Sequence, residues 1–143
     1  MRFQQFGDRF QLRIESGEEL NSTLKQFLVT RHINFAQMTG LGAVRSATVS
    51  YWNSTTQQYE THERNEQMEV ISLVGNVSIR EGEPFAHIHL GLSRSDLSMI
   101  GGHFNGAVAH PMLEIWLQPI HATVTRKLDE SCGLFLMELS DTA

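Results

Sequence analysis

The sequence predicts an α+β domain: a curved, largely antiparallel and partly barrel-like sheet with one main helix. Three observations carry that expectation. Apolar and polar residues alternate with period two in several segments between Phe10 and Leu139. A strong helical period occurs once, between Glu18 and His32. No repeat, linker or biased tract divides the 143 residues, a length that buries one core without disulfides or a structural metal. A single domain over residues 1–143 is therefore expected.

Phe10, Leu12 and Ile14 alternate with Arg9, Gln11, Arg13 and Glu15, a half-buried strand that ends near Ser16-Gly17. From there Leu20, Leu24, Phe27 and Leu28 stand at i, i+4, i+7 and i+8, with Glu18 and Glu19 at the positive end of the dipole. This helix should run to Arg31 or His32. Gly40-Leu41-Gly42 marks a bend or a close backbone approach. Ala47, Val49 and Tyr51 alternate with Thr48, Ser50 and Trp52, and Asn53-Ser54-Thr55-Thr56 turns the chain into a second strand at Tyr59 to His62, a hairpin.

Residues 69–75 and 76–80 read as two strands divided at Gly75, where a bulge or corner is expected. Arg80 to Pro84 turns the chain into the apolar run Phe85 to Leu90, and Ser93 to Ser98 forms a polar loop. Gly101-Gly102 reads as a turn, Leu113 to Leu117 as a strand with Ala122 to Arg126 continuing it, and Leu134 to Leu139 as the closing strand. Val70 to Val74 and Leu134 to Leu139 are apolar on both faces. One helix cannot cover all of that surface, so another copy of the chain is expected to bury part of it.

Eleven Lys and Arg against sixteen Asp and Glu leave a net charge of −5, which repels nucleic-acid phosphates and acidic membranes unless basic residues gather in a patch. The closest basic grouping, Arg126-Lys127, is followed at once by Leu128-Asp129-Glu130. DNA is thus not favoured as a partner. Cys132 is the sole cysteine, so no intrachain disulfide forms, and it reads as a passive thiol in a reducing, cytoplasmic setting. The first residues lack the apolar stretch of a signal peptide, and no run of about eighteen apolar residues offers a membrane span.

The chemistry concentrates at His87-Ile88-His89 and at Gly101-Gly102-His103. On a strand, residues two apart share a face, roughly 6 to 7 Å apart at Cβ, so His87 and His89 can chelate one ion together. With His103 they make three imidazole ligands, a set that holds catalytic zinc and leaves a fourth position open. Zinc is the first choice, and nickel, copper, iron and manganese also accept imidazole. The plainer reading is three histidines hydrogen-bonded within an interface. Gly101, Gly102 and Asn105 form a candidate ligand loop, where absent side chains let backbone approach a small molecule. Glu69 and Glu114 are either solvated strand residues or partners of the metal: Glu69 as a general base, Glu114 bonded to a ligating imidazole. His32, His62, His110 and His121 read as surface histidines. No Ser/His/Asp order and no Gly-x-x-x-x-Gly-Lys run is present, which argues against serine chemistry and nucleotide hydrolysis.

The succession Gly40-x-Gly42-Ala43, Glu69-Val70-Ile71-Ser72-Leu73-x-Gly75, Pro84-x-x-His87-x-His89, Gly101-Gly102-His103 and Glu114-Ile115 resembles the plant and prokaryote conserved domain, the PCC or PPC domain formerly called DUF296. The resemblance runs from Phe10 to about Leu139. It implies a homotrimer with the three histidines near a subunit boundary, and a fold similar to that of acetolactate decarboxylase, a zinc enzyme whose metal is held by histidines. Plant members carry the domain behind AT-hook segments, and the DNA-binding label of bacterial relatives stems from that. This sequence contains no Arg-Gly-Arg-Pro core. The plant-type Gly-Arg-Phe-Glu-Ile-Leu segment reads Glu66-Gln67-Met68-Glu69-Val70-Ile71 here, keeping only the Glu69 and aliphatic part, so a plant-like partner surface is not expected.

Three functions follow as expectations. One is a metal-binding trimer with a small-molecule site, a lyase or hydrolase. Another is a DNA-binding regulator. The last is a non-catalytic oligomerisation or sensor module whose metal is structural.

Overall fold

The computed structural model of the protein describes residues 1–140, so the last three positions of the expected domain lie outside the described residues. The elements are β1 (Arg2–Phe6), β2 (Arg9–Glu15), α1 (Leu20–Thr30), β3 (Ala36–Asn53), β4 (Gln58–Arg64), β5 (Met68–Arg80), β6 (Glu83–Ser93), β7 (Met99–Pro119), β8 (Thr125–Asp129) and β9 (Leu134–Met137). They form one sheet in the order β1-β2-β7-β3-β5-β8-β9, with β4 beside β3. Strand β6 pairs with both β5 and β7, so β3, β5, β6 and β7 close a ring. All these pairings are antiparallel except β5 with β8. The α+β expectation holds, with a mixed and partly closed sheet.

Alternation decides which side of each strand is dry. Phe10, Leu12 and Ile14 of β2 point inward with Leu113, Ile115 and Leu117 of β7, their register partners. The helix fills the inside of the curved sheet and packs on β6 and β7. Its buried residues are Leu20, Leu24, Phe27 and Leu28, the face that the helical period predicts. Each stabilises the fold by about 1.5 to 3 kcal/mol on burial. Glu19 is the N-cap, its carboxylate accepting from the Asn21 and Ser22 amides at 2.9 and 2.8 Å.

Several sequence expectations give way to the register. Strand β5 runs unbroken through Gly75, which pairs with Met38 and Ile88; the irregularity lies instead between Val70 and Ser72. A Cβ on Gly75 would sit 2.6 Å from the His87 carbonyl oxygen, so the glycine marks close strand packing rather than a corner. The same holds at Gly40, where a Cβ would meet the Glu114 carbonyl oxygen at 2.6 Å. Gly101-Gly102 is no turn: both lie inside β7 and pair with Gly91 and Leu90 of β6. The segment from Ala122 does not continue β7. Strand β8 pairs in parallel with β5 and antiparallel with β9, a separate C-terminal hairpin. Strand β1 was not expected; all five of its residues are exposed, so it has no dry side to imprint on the sequence.

The outer side of the ring carries Leu41, Ile71 and Val74, each more than half exposed. Val74 stands opposite His89 in the β5 and β6 register, which puts this apolar residue and the histidine on one side of the sheet.

Candidate metal centre

Register alone gathers the three rings. His89 on β6 is the direct partner of His103 on β7, and His87 lies two residues along β6 on the same side. The ring centroids are 5.3 Å apart for His87 and His89, 5.1 Å for His87 and His103, and 5.5 Å for His89 and His103. One nitrogen from each ring lies within 4.8 Å of the others. Gly101 and Gly102 serve this arrangement through space rather than as a loop. A Cβ at Gly101 would meet the Leu90 carbonyl oxygen at 2.5 Å, and one at Gly102 the Ser50 carbonyl oxygen at 2.6 Å. Their absent side chains let β7 pass tightly between β6 and β3.

The surroundings are cationic and aromatic. Arg126 of β8 donates through Nε to Ser78 Oγ at 2.8 Å and through one terminal nitrogen to the Phe135 carbonyl at 2.9 Å. Its other terminal nitrogen reaches Asn76 Oδ1 at 3.0 Å and His87 Nδ1 at 3.2 Å. Tyr59 of β4 stacks on His103 with centroids 5.0 Å apart. Burial first, then the Arg126 charge, then His103 and His89, lowers the His87 pKa to about 4. Burial also leads the lowering at His103, helped by His89, Arg126 and Arg80. Both rings are therefore neutral at pH 7 and carry a lone pair for a ligand. Burial raises the Tyr59 pKa.

Of the two readings of Glu69 and Glu114, solvated strand residues or partners of the metal, a single chain shows both exposed to solvent. Glu69 pairs with Ser93 and Ala43, five residues along β5 from the partner of His89, roughly 17 Å at strand rise, and is exposed. Glu114, also exposed, pairs with Leu41 and Arg13, eleven residues along β7 from His103. Within one chain neither is brought to the rings. Asn105 lies in β7, where its side-chain oxygen accepts from Ser50 Oγ at 2.5 Å and its backbone carbonyl accepts from Asn21 Nδ2 at 2.7 Å.

The three rings instead form the floor of a cavity of about 570 Å³. Its walls include Trp52, Tyr59, Arg80, Phe85, Arg126 and Phe135. Sequence reasoning passed over all six as site residues. In the sequence Arg126 belongs to a weak basic pair, and nothing in its neighbourhood along the chain ties it to a histidine 39 residues away.

The residues fit a bound transition metal. His103 Nδ1 is buried and makes no hydrogen bond among the described residues, and an unpaired buried polar atom is costly unless something outside the chain meets it. Three imidazole donors without a carboxylate suit zinc and its imidazole-accepting neighbours.

Fold and site together define a partly closed α+β domain with a three-histidine cluster at the foot of an aromatic, cationic cavity. A family model, the Plants and Prokaryotes Conserved (PCC) domain, matches residues 1–121. The chain belongs to the PCC domain family. Similar solved structures include a metal-containing protein from Archaeoglobus fulgidus, 33% identical over 97% of this chain and 99% of that one, with a TM-score of 0.88. A plant- and prokaryote-conserved (PPC) protein from Pyrococcus horikoshii is 30% identical over 99% and 97%, with a TM-score of 0.87. A candidate DNA-binding protein from Bacteroides thetaiotaomicron is 25% identical over 96% of both chains, with a TM-score of 0.92. No curated protein matches the sequence. No helix among the described residues is long and apolar enough to cross a membrane.

Proposed function

We propose that the protein is a metal-binding PCC-domain protein whose His87, His89 and His103 hold a divalent ion, zinc first, in a small-molecule site of lyase or hydrolase type. The observation that carries this reading is the convergence of three imidazoles, one nitrogen from each within 4.8 Å of the others, with His103 Nδ1 buried and without a hydrogen-bond partner among the described residues. The metal-containing relative from Archaeoglobus fulgidus supports it. Bound zinc would supply Lewis-acid chemistry, polarising a carbonyl or lowering the pKa of water. The chain's own residues do the rest. The low His87 pKa keeps protons from competing for the ligand nitrogens. Trp52, Tyr59, Phe85 and Phe135 keep the cavity apolar, which strengthens every charge interaction within it. A neutral imidazole has one lone pair, so His87 cannot ligate a metal and accept from Arg126 at once. With His87 as a metal ligand, Arg126 would lose its acceptor at Nδ1 and keep its bonds to Ser78, Asn76 and the Phe135 carbonyl.

The general-base role for Glu69 and the imidazole-orienting role for Glu114 need a second copy of the chain to bring either carboxylate close. A homotrimer is the assembly we propose, with Leu41, Ile71 and Val74 in the contact and Val74, opposite His89, at its histidine end. The exposure of those three residues supports it. The test of the metal reading is elemental analysis of purified protein against a variant with His87, His89 and His103 all changed to Ala. About one metal per wild-type chain and none in the variant is expected, and equal stoichiometry in the two overturns the assignment.

A second reading, DNA binding, is favoured by the relative from Bacteroides thetaiotaomicron. The net charge of −5 opposes it. Gel retardation of an A·T-rich duplex across a salt series separates the two, and no retardation at low salt removes DNA. A purely structural metal is distinguished by chelation, which would then dissociate the trimer with no turnover to lose.

A further inference from the structure

Two guanidinium groups stand side by side on one wall of the cavity. Arg80 and Arg126 are direct register partners across β5 and β8, and both line the space above the histidines. Like charges placed opposite each other on adjacent strands destabilise the pairing unless something neutralises them. Among the described residues no aspartate or glutamate lines the cavity. The nearest acid to Arg80 is Glu81, whose carboxylate lies 3.4 Å from Arg80 Nε and is two-thirds exposed to solvent.

The two arginines are held differently. Arg126 spends donors on Ser78, Asn76, the Phe135 carbonyl and His87, four contacts that fix it as part of the wall. Arg80 is held by its faces. Its guanidinium carbon lies 4.5 Å from the Phe85 ring centre and 4.9 Å from that of Phe135. Stacking of this kind fixes the plane of the group and leaves its N–H edges for an acceptor. Among the described residues only the Glu81 contact on Nε engages an edge, so the terminal nitrogens remain as a fork suited to two oxygens of one anion.

We propose that the cavity binds a small organic carboxylate with a flat, unsaturated body, its acid group on the Arg80 fork and its body among Trp52, Tyr59, Phe85 and Phe135. The volume of about 570 Å³ admits a ligand of that size. The aromatic walls favour a planar body over a branched aliphatic one. The proposal names the ligand class of the site just described. It rests on the metal reading only for the inner end of the ligand, since the fork belongs to the chain itself.

The test is calorimetric titration of the full-length protein with benzoate, benzamide and acetate, on zinc-loaded and chelator-stripped samples whose zinc content is measured in parallel. Benzoate should bind at least tenfold more tightly than neutral benzamide or ringless acetate. In Arg80→Gln benzoate should fall to the level of benzamide, and Arg80→Lys should lie between, each with a near-UV spectrum like that of the wild type. The same preference in the stripped sample supports the fork, whatever the zinc content. Three probes of equal affinity overturn the proposal, as does a benzoate preference that survives Arg80→Gln. Absence of zinc from the loaded sample counts against the metal reading alone.

Discussion

At the residue scale, His87 and Arg126 are the coupled pair. The His87 pKa stands at about 4 in the folded protein against an ordinary 6.5. Between those values the unfolded chain takes up a proton that the folded chain refuses, so stability rises with pH across this window. The contribution of His87 is fully present above pH 6.5 and is lost as pH falls through 4. For the metal-free protein it is on the order of 3 kcal/mol at most, at about 1.4 kcal/mol per pKa unit. Denaturant unfolding at pH 7 and pH 4.5 should show wild type losing more stability than His87→Phe, and equal losses would contradict this. Arg126→Met removes four hydrogen bonds, one of them to the fully buried Ser78. It should lower stability by about 2 to 4 kcal/mol. Yet it should tighten zinc binding per folded chain, because His87 no longer shares its lone pair with a guanidinium. Thermal unfolding and competition with a coloured chelator measure the two effects separately.

At the element scale, the ligands owe their convergence to glycines that let strands touch. Gly75→Ala would place a methyl group 2.6 Å from the His87 carbonyl oxygen and 3.0 Å from the Ile88 side chain. Strand β6 must then move, carrying His87 and His89 with it. A stability loss of about 1 to 3 kcal/mol is expected, together with at least a tenfold loss of zinc affinity, and a variant with normal metal content would show that the register tolerates the shift. How much of this was legible in the sequence depends on how local its cause is. The helix face of Leu20, Leu24, Phe27 and Leu28 and the hairpin of β3 and β4 were readable because period and turn chemistry act within a few residues. The His87 and His89 pair was readable for the same reason. The straight passage of β7 through Gly101-Gly102 was not, because a glycine demanded by a neighbouring strand looks the same in sequence as one demanded by a turn. Arg80, Arg126 and Tyr59 reach the site from three different strands, and no short-range spacing marks them.

At the scale of the whole molecule, the ring of β3, β5, β6 and β7 turns its dry side to the helix and its histidines outward. Leu41, Ile71 and Val74 lie on that outer side. If a homotrimer covers them, the double variant Ile71→Glu with Val74→Lys should sediment as a monomer while its near-UV spectrum stays native. A trimer that persists would place the contact elsewhere. The fold class followed from patterning, since counting strands against helices needs no tertiary knowledge. The expectation of a second copy rests on apolar surface that one helix cannot shield, and the number three comes from the family resemblance alone.

The C-terminal hairpin completes the site from a distance. The family model ends at residue 121, yet Arg126, Leu134 and Phe135, beyond that point, help to wall the cavity. The floor and the rim of the cavity are thus laid down by separate stretches of the chain, and the doorway that greets an incoming molecule can be altered without touching the three imidazoles. Replacing the hairpin with one of unlike side chains should change which molecules enter before it changes what happens to them.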